Sequence, residues 1–168
     1  MISSIRPTRA GLVAITLALG AIAPAAHAAD VMTRQKVIEY ETRFSAQDPR
    51  FAEIYAPDVS FPHITGGELR GPKQIADFYQ KMWATGVHEV REPTAIIIDN
   101  KGGMMAVEES VSFTPKPGFA SVTLPTGEVM KAGEKWKGAA VMIFTLRDGK
   151  VTSVRGSIVG AGKITRAE

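Results

Sequence analysis

The chain has 168 residues, no cysteine, and 20 lysines and arginines against 17 aspartates and glutamates. Without cysteine there are no disulfides, thiolate metal sites or cysteine nucleophiles. No cationic stripe interleaved with aromatics is present, so nucleic acid is not an expected partner.

The first segment reads as an address rather than as structure. Arg6 and Arg9 precede an uncharged apolar run from Gly11 to Ala23, and Ala26-His27-Ala28 has the small-x-small pattern that signal peptidase cleaves. Residues 1–28 are therefore expected to be a secretory signal peptide and 29–168 a single domain, periplasmic or secreted. The run is shorter than the roughly 20 residues that span a bilayer, so no membrane association is expected once it is removed. Cleavage takes Arg6 and Arg9 and no acid, leaving 18 basic against 17 acidic residues in 140. The apparent basicity belongs to the leader.

Thr33 is placed to cap a helix in which Val37, Tyr40, Glu41 and Phe44 recur at three- and four-residue spacing. Asp48-Pro49 opens a short second helix with Phe51, Ile54 and Tyr55 on one side. In the following segment, YAPDVSFPHITGGELRG, a strand would put Val59, Phe61 and His63 on one face, so an imidazole shares the side the chain wants to bury. Gly71-Pro72 starts a third helix with Ile75, Phe78, Tyr79, Met82 and Trp83 as its apolar stripe and Gly86 as its stop.

After Gly86 the period falls to two. Strands are predicted over His88–Asp99, Met104–Phe113, Lys135–Leu146 and Val151–Val159, with a turn at 100–103, a loop at 114–120, a hairpin around Pro125-Thr126-Gly127, and Asp148-Gly149 as a tight turn. Helices first and an antiparallel sheet second predict an α+β domain. Along the late strand Trp136, Ala140, Met142 and Phe144 occupy one face and Ala139, Val141 and Ile143 the other. Helices cover only one of these faces, so a homodimer is expected to cover the second.

Three stretches, YAPDVSF, GGELRGPKQIADFY and FTLRDGKVTSVR, together with the element order, resemble the SnoaL-like, nuclear transport factor 2-like domains. The resemblance spans nearly all of 29–168. It implies a cone-shaped curved antiparallel sheet wrapped by three N-terminal helices, with an internal apolar pocket whose candidate wall is Phe61, Phe78, Met82, Trp83, Val107 and Val111. In ketosteroid isomerase-like members the position matching His63 holds the proton-abstracting group and that matching Tyr40 an oxyanion donor; the second donor's place falls near Val141. In scytalone dehydratase-like members a histidine matches His88, Glu108-Glu109 stands where the second histidine lies, and the acid of the first helix falls near Ser45.

The candidate catalytic residues are thus His63, Tyr40, His88 and Glu109. Each has a plainer reading: His63 as a core histidine bonded to backbone, His88 as an exposed strand start, Glu109 as half of an ion pair with Arg155 or Lys137, and Tyr40 as a helix residue reaching the surface. The histidines lack the HxH, HxxxH or HExxH spacing of a metal site, and no metal or cofactor is expected. The expectation is an exported domain that binds a small, largely apolar molecule and performs cofactor-independent isomerase, dehydratase or cyclase chemistry. The alternative is a non-catalytic ligand-binding or dimerisation module on the same fold.

Overall fold

The computed structural model describes residues 30–62, 67–124 and 127–166. Residues 1–29, His63 and Pro125-Thr126 lie outside that range.

Helix α1 covers Arg34–Ser45, and Thr33 caps it by accepting from the Lys36 amide at 3.2 Å. Its buried face is Val37, Tyr40, Glu41 and Phe44, so the stripe includes a carboxyl. The second predicted helix is a 3-10 helix, Pro49–Ile54, whose cap Asp48 accepts from the Arg50 amide. Six residues are too few for a settled α-helix, and burying Phe51, Ala52 and Ile54 holds the tighter turn in place.

Strand β1 is Tyr55–Pro62, with Val59 and Phe61 buried as the alternation requires, and β2 is Glu68–Arg70. Helix α2, Gly71–Ala84, buries Ile75, Tyr79 and Trp83. Gly71 enters it at φ +77°, and a Cβ there would come within 3.1 Å of the Pro57 carbonyl, so only glycine turns this corner without strain.

The rest is sheet: β3 Val87–Asp99, β4 Met104–Pro115, β5 Ser121–Thr123, β6 Val129–Lys131, β7 Glu134–Arg147 and β8 Lys150–Arg166. Six strands form one sheet in the order β2-β1-β8-β7-β4-β3, while β5 and β6 form a separate hairpin. All pairings are antiparallel except that of β1 with β8, which run parallel. Asp148 and Gly149 both have positive φ, 50° and 68°, as a two-residue turn between β7 and β8 demands.

Two apolar cores result. The larger joins α1, the 3-10 helix and α2 to the inner sheet face through Phe44, Phe51, Tyr79, Trp83, Val107 and Phe144. The smaller lies under the β5–β6 hairpin and packs Val122, Leu124 and Met130 on Phe113 and Trp136. A cleft separates them.

Candidate functional site

The cleft has a volume of about 950 Å3. Phe61 and Pro62 of β1 and Phe78, Tyr79 and Met82 of α2 form one side; Val111, Phe113, Ala140, Met142, Val154 and Ile158 of the sheet form the floor; Thr123 and Leu124 close it from the hairpin. At one end the lining turns ionic, with Glu89, Arg91 and Glu109.

That end is built by parity and by one helix. Val87, Glu89 and Arg91 alternate inward along β3, and Val107, Glu109 and Val111 do so along β4. Ser45, the last residue of α1, sets the register by accepting from the Arg91 amide at 2.9 Å. Arg91 donates Nε–H to Glu89 at 2.7 Å, lies 3.8 Å above the Phe44 ring, and places Nη1 3.9 Å from Oε1 of Glu109. Glu41 enters from α1 behind Glu109.

Glu109 is 1% exposed, and apart from each other's carboxyls, its Oε2 and both oxygens of Glu41 have no hydrogen-bond partner among the described residues. Burial pushes the Glu41 carboxyl well above the usual range, and the charge of Glu109 adds to that rise. Burial also raises Glu109, against the opposing pull of Arg91. The two carboxyls lie close enough to hydrogen-bond when one of them is protonated, which adds to the rise of Glu41 and opposes that of Glu109. Burial works against the charge of Arg91, but Glu89, Tyr79 and Glu109 outweigh it and keep the guanidinium cationic. The arrangement offers a proton donor, a proton acceptor and a fixed cation at the end of an apolar hollow.

Of the sequence candidates, Glu109 lies in this wall. Tyr40 is buried beside the cluster, its hydroxyl 3.0 Å from that of Tyr55, and does not line the cleft. His88 sits at the sheet edge with Nε2 3.2 Å from the Ser45 carbonyl oxygen, outside the cleft. His63 lies outside the described residues; Pro62, which precedes it, lines the cleft. Phe61, Phe78, Met82 and Val111 line the cleft, whereas Trp83 and Val107 are packed into the larger core and do not. The pairing foreseen for Glu109 with Arg155 or Lys137 is replaced by Arg91, because those two side chains are exposed. Among the described residues no three His, Asp or Glu side chains gather in a metal-holding geometry.

Three members of the cluster were missed from sequence. Placing the helix acid near Ser45 was one turn late: Ser45 binds backbone, and Glu41 is the acid that faces the site. The signal existed, since Glu41 lies on the α1 stripe with Val37, Tyr40 and Phe44. Glu89 and Arg91 share the inward parity of Val87.

The SnoaL-like domain matches residues 37–154, most of the span that carries both cores and the cleft. The chain belongs to the SnoaL-like family. Among solved structures, this SnoaL-like protein is similar to a proposed polyketide cyclase from Pseudomonas putida KT2440, at 21% identity and a TM-score of 0.58 over 76% of this chain and 91% of the other. It is also similar to an LEH-like epoxide hydrolase from M. tuberculosis, at 13% identity and a TM-score of 0.54 over 74% and 80% of the two chains. A nuclear transport factor 2-like protein from Burkholderia pseudomallei K96243 matches at 17% identity and a TM-score of 0.55 over 74% and 88%. At these identities the likeness is one of fold. No curated protein matches the chain significantly.

Proposed function

We propose that the SnoaL-like cleft binds a small, largely apolar molecule and moves a proton on it without a cofactor. Glu109 is the group that touches the ligand, as base when ionised and as acid when protonated. Glu41 holds the exchangeable proton behind it, and Arg91 stabilises negative charge developing on a substrate oxygen. In an isomerisation, Glu109 would take a proton from carbon next to a carbonyl, leave an enolate facing Arg91, and return the proton at a second carbon. In a cyclisation the same enolate would attack a carbonyl within the molecule, and the new alkoxide would take the proton back. The observation that carries this reading is a buried carboxyl pair, Glu41 and Glu109, beside a fixed guanidinium, with Glu109 in the wall of an apolar cleft. His63 remains a proposed second base.

The non-catalytic alternative predicts a plugged interior; a cleft of about 950 Å3 with converging charged groups speaks for catalysis. The row Glu89, Arg91, Glu109 also favours a second reading, addition of water to a strained oxygen ring, with one carboxyl deprotonating water and another protonating the leaving oxygen. The activity named for the M. tuberculosis structure is of this kind.

The test is turnover of a panel of β-dicarbonyl, polyketone and epoxide compounds by the chain without its leader. Glu109→Gln is expected to reduce kcat by about 100-fold or more, in line with loss of a general acid-base. His63→Ala is expected to lose turnover while remaining folded. Unchanged kcat in Glu109→Gln on any compound that the wild type converts would overturn the role given to Glu109. Export through the 1–28 leader and a homodimer through the outer sheet face complete the proposal.

A further inference from the structure

One close approach in the cleft floor joins a glycine to a flexible side chain. Gly156 of β8 pairs with Met142 of β7, and both residues line the hollow. A Cβ on Gly156 would fall 2.1 Å from the Met142 sulfur and 2.8 Å from its methyl carbon, so the thioether lies in the notch that the missing side chain leaves. The same Cβ would approach the Val141 carbonyl oxygen to 3.0 Å, to which the strand can yield, whereas the sulfur contact requires Met142 to move. Gly156 has no positive φ and stands inside a strand, a place where glycine weakens the sheet. What Gly156 supplies is therefore room for Met142.

The neighbours of Met142 leave it one other place to go. Across the sheet it pairs with Val107, fully buried in the larger core, and along its own strand it stands between Ala140 and Phe144, which are buried too. Above it is the hollow, with Phe78 and Met82 of α2 on the opposite side. Most of the lining is stiff, because aromatic rings and β-branched side chains have few rotamers, whereas the unbranched thioether bends to fit. Trp136 makes the contrast. It also lies against glycines, Gly138 and Gly162, but its indole is rigid, fully buried and outside the cleft wall, so those glycines serve packing alone.

We propose that Met142 and Gly156 together set the thickness of the ligand that the cleft admits. With the thioether in the notch the floor is low, and a branched or cage-like hydrocarbon body fits between the sheet and α2. Lifted out of the notch, Met142 would occupy that space and leave a slot for flat molecules only. The assignment rests on the reading of this cleft as the ligand site and narrows its substrate class to apolar bodies thicker than a flat ring system. Neither residue carries a group that exchanges a proton, so the pair decides which molecule binds and not the chemistry done to it.

Two neutral ketones, 2-adamantanone and 2-tetralone, separate the possibilities: they have the same number of carbons and a single carbonyl, but the first is a cage and the second nearly flat. Calorimetry on the chain from residue 29 onward is expected to show the cage bound at least as tightly as the flat ketone. Gly156→Ala is expected to weaken the cage by about tenfold or more, the size of a moderate overpacking cost, and the flat ketone by no more than about twofold. Removing the displaced side chain, by adding Met142→Ala to Gly156→Ala, is expected to restore the cage to within about threefold of wild type, a coupling that a general loss of stability does not produce. A folded Gly156→Ala that weakens both ketones alike, or neither, overturns the assignment, as does a double variant that does not recover. A wild type that binds neither ketone, or prefers the flat one, overturns it as well. Should Gly156→Ala not fold, Met142→Ala decides alone: a cage-to-flat affinity ratio that rises supports the assignment, and one that stays level or falls overturns it. Selection by thickness without turnover of any compound leaves this assignment standing and removes the proton-transfer chemistry; turnover that needs Glu109, with both ketones affected alike by Gly156→Ala, does the reverse.

Discussion

Glu41 shows how an acid on an apolar stripe becomes a functional residue. Its raised folded-state pKa means that the folded chain holds a proton which the unfolded chain releases near the ordinary value of 4.5. Between that value and the raised one the folded state binds more protons, so stability falls as pH rises through the window, by up to about 1.4 kcal/mol for each pH unit. Below 4.5 both states are protonated and the cost is absent. Glu41→Gln keeps the shape and a donor toward Glu109 but cannot ionise. Urea unfolding followed against pH is therefore expected to show variant and wild type alike at pH near 4 and the variant increasingly the more stable toward pH 8. A difference that is flat, or that grows toward acid, would mean that Glu41 ionises freely in the fold.

Among the elements, β7 and β8 show what close packing asks of the backbone. Trp136 is fully buried, and its indole lies flat against two glycines: a Cβ on Gly162 would fall 1.8 Å from it, and one on Gly138 2.3 Å. Gly162→Ala is expected to cost about 1–3 kcal/mol as the indole is displaced, visible as a lower urea midpoint with unchanged m-value. Gly133, at φ +79° with open space around it, is the control, where alanine meets only backbone strain of about 1 kcal/mol. If both substitutions cost the same, contact with Trp136 is not what fixes Gly162. The long strands and the Asp148-Gly149 turn were legible because period two and turn chemistry are local properties. The extension of β8 past Val159 to Arg166 was not, since Gly160, Ala161 and Gly162 read as a strand end, and only the indole across the sheet gives glycine a place there. The same limit hid the ion cluster: Glu41 and Glu109 are 68 positions apart, and nothing local to either says that they meet. Parity gave Glu109 a direction, and the fold gave it a partner.

At the scale of the whole molecule, the outer sheet face has no helix over it among the described residues. Registry sets Ile97 beside Ala106, Ala106 beside Ile143 and Ile143 beside Arg155; one step along the strands, Glu108, Val141 and Ser157 stand side by side, and Ala139 pairs with Val159. Ile97 is 69% exposed and Val159 54%, with Val141 and Ile143 each more than a third exposed. β-branched residues on a strand face are there to pack, and the three helical elements all lie on the opposite side. Glu108 and Arg155 put both signs of charge on the same face, so two copies meeting across a two-fold axis confront no field of a single sign. Val141, near the centre of the patch, is the residue to change. The chain from residue 29 onward is expected to sediment as a dimer at micromolar concentration, and Val141→Asp as a folded monomer, because two carboxylates would then be buried against each other close to the axis. The cleft opens on the other side of the sheet, so ligand affinity in the monomer is expected to stay within about twofold of wild type, within the few tenths of a kcal/mol typical of distant, uncoupled sites. A monomeric wild type would show that this face has another cover. A Val141→Asp protein that still sediments as a dimer would place the two-fold contact elsewhere.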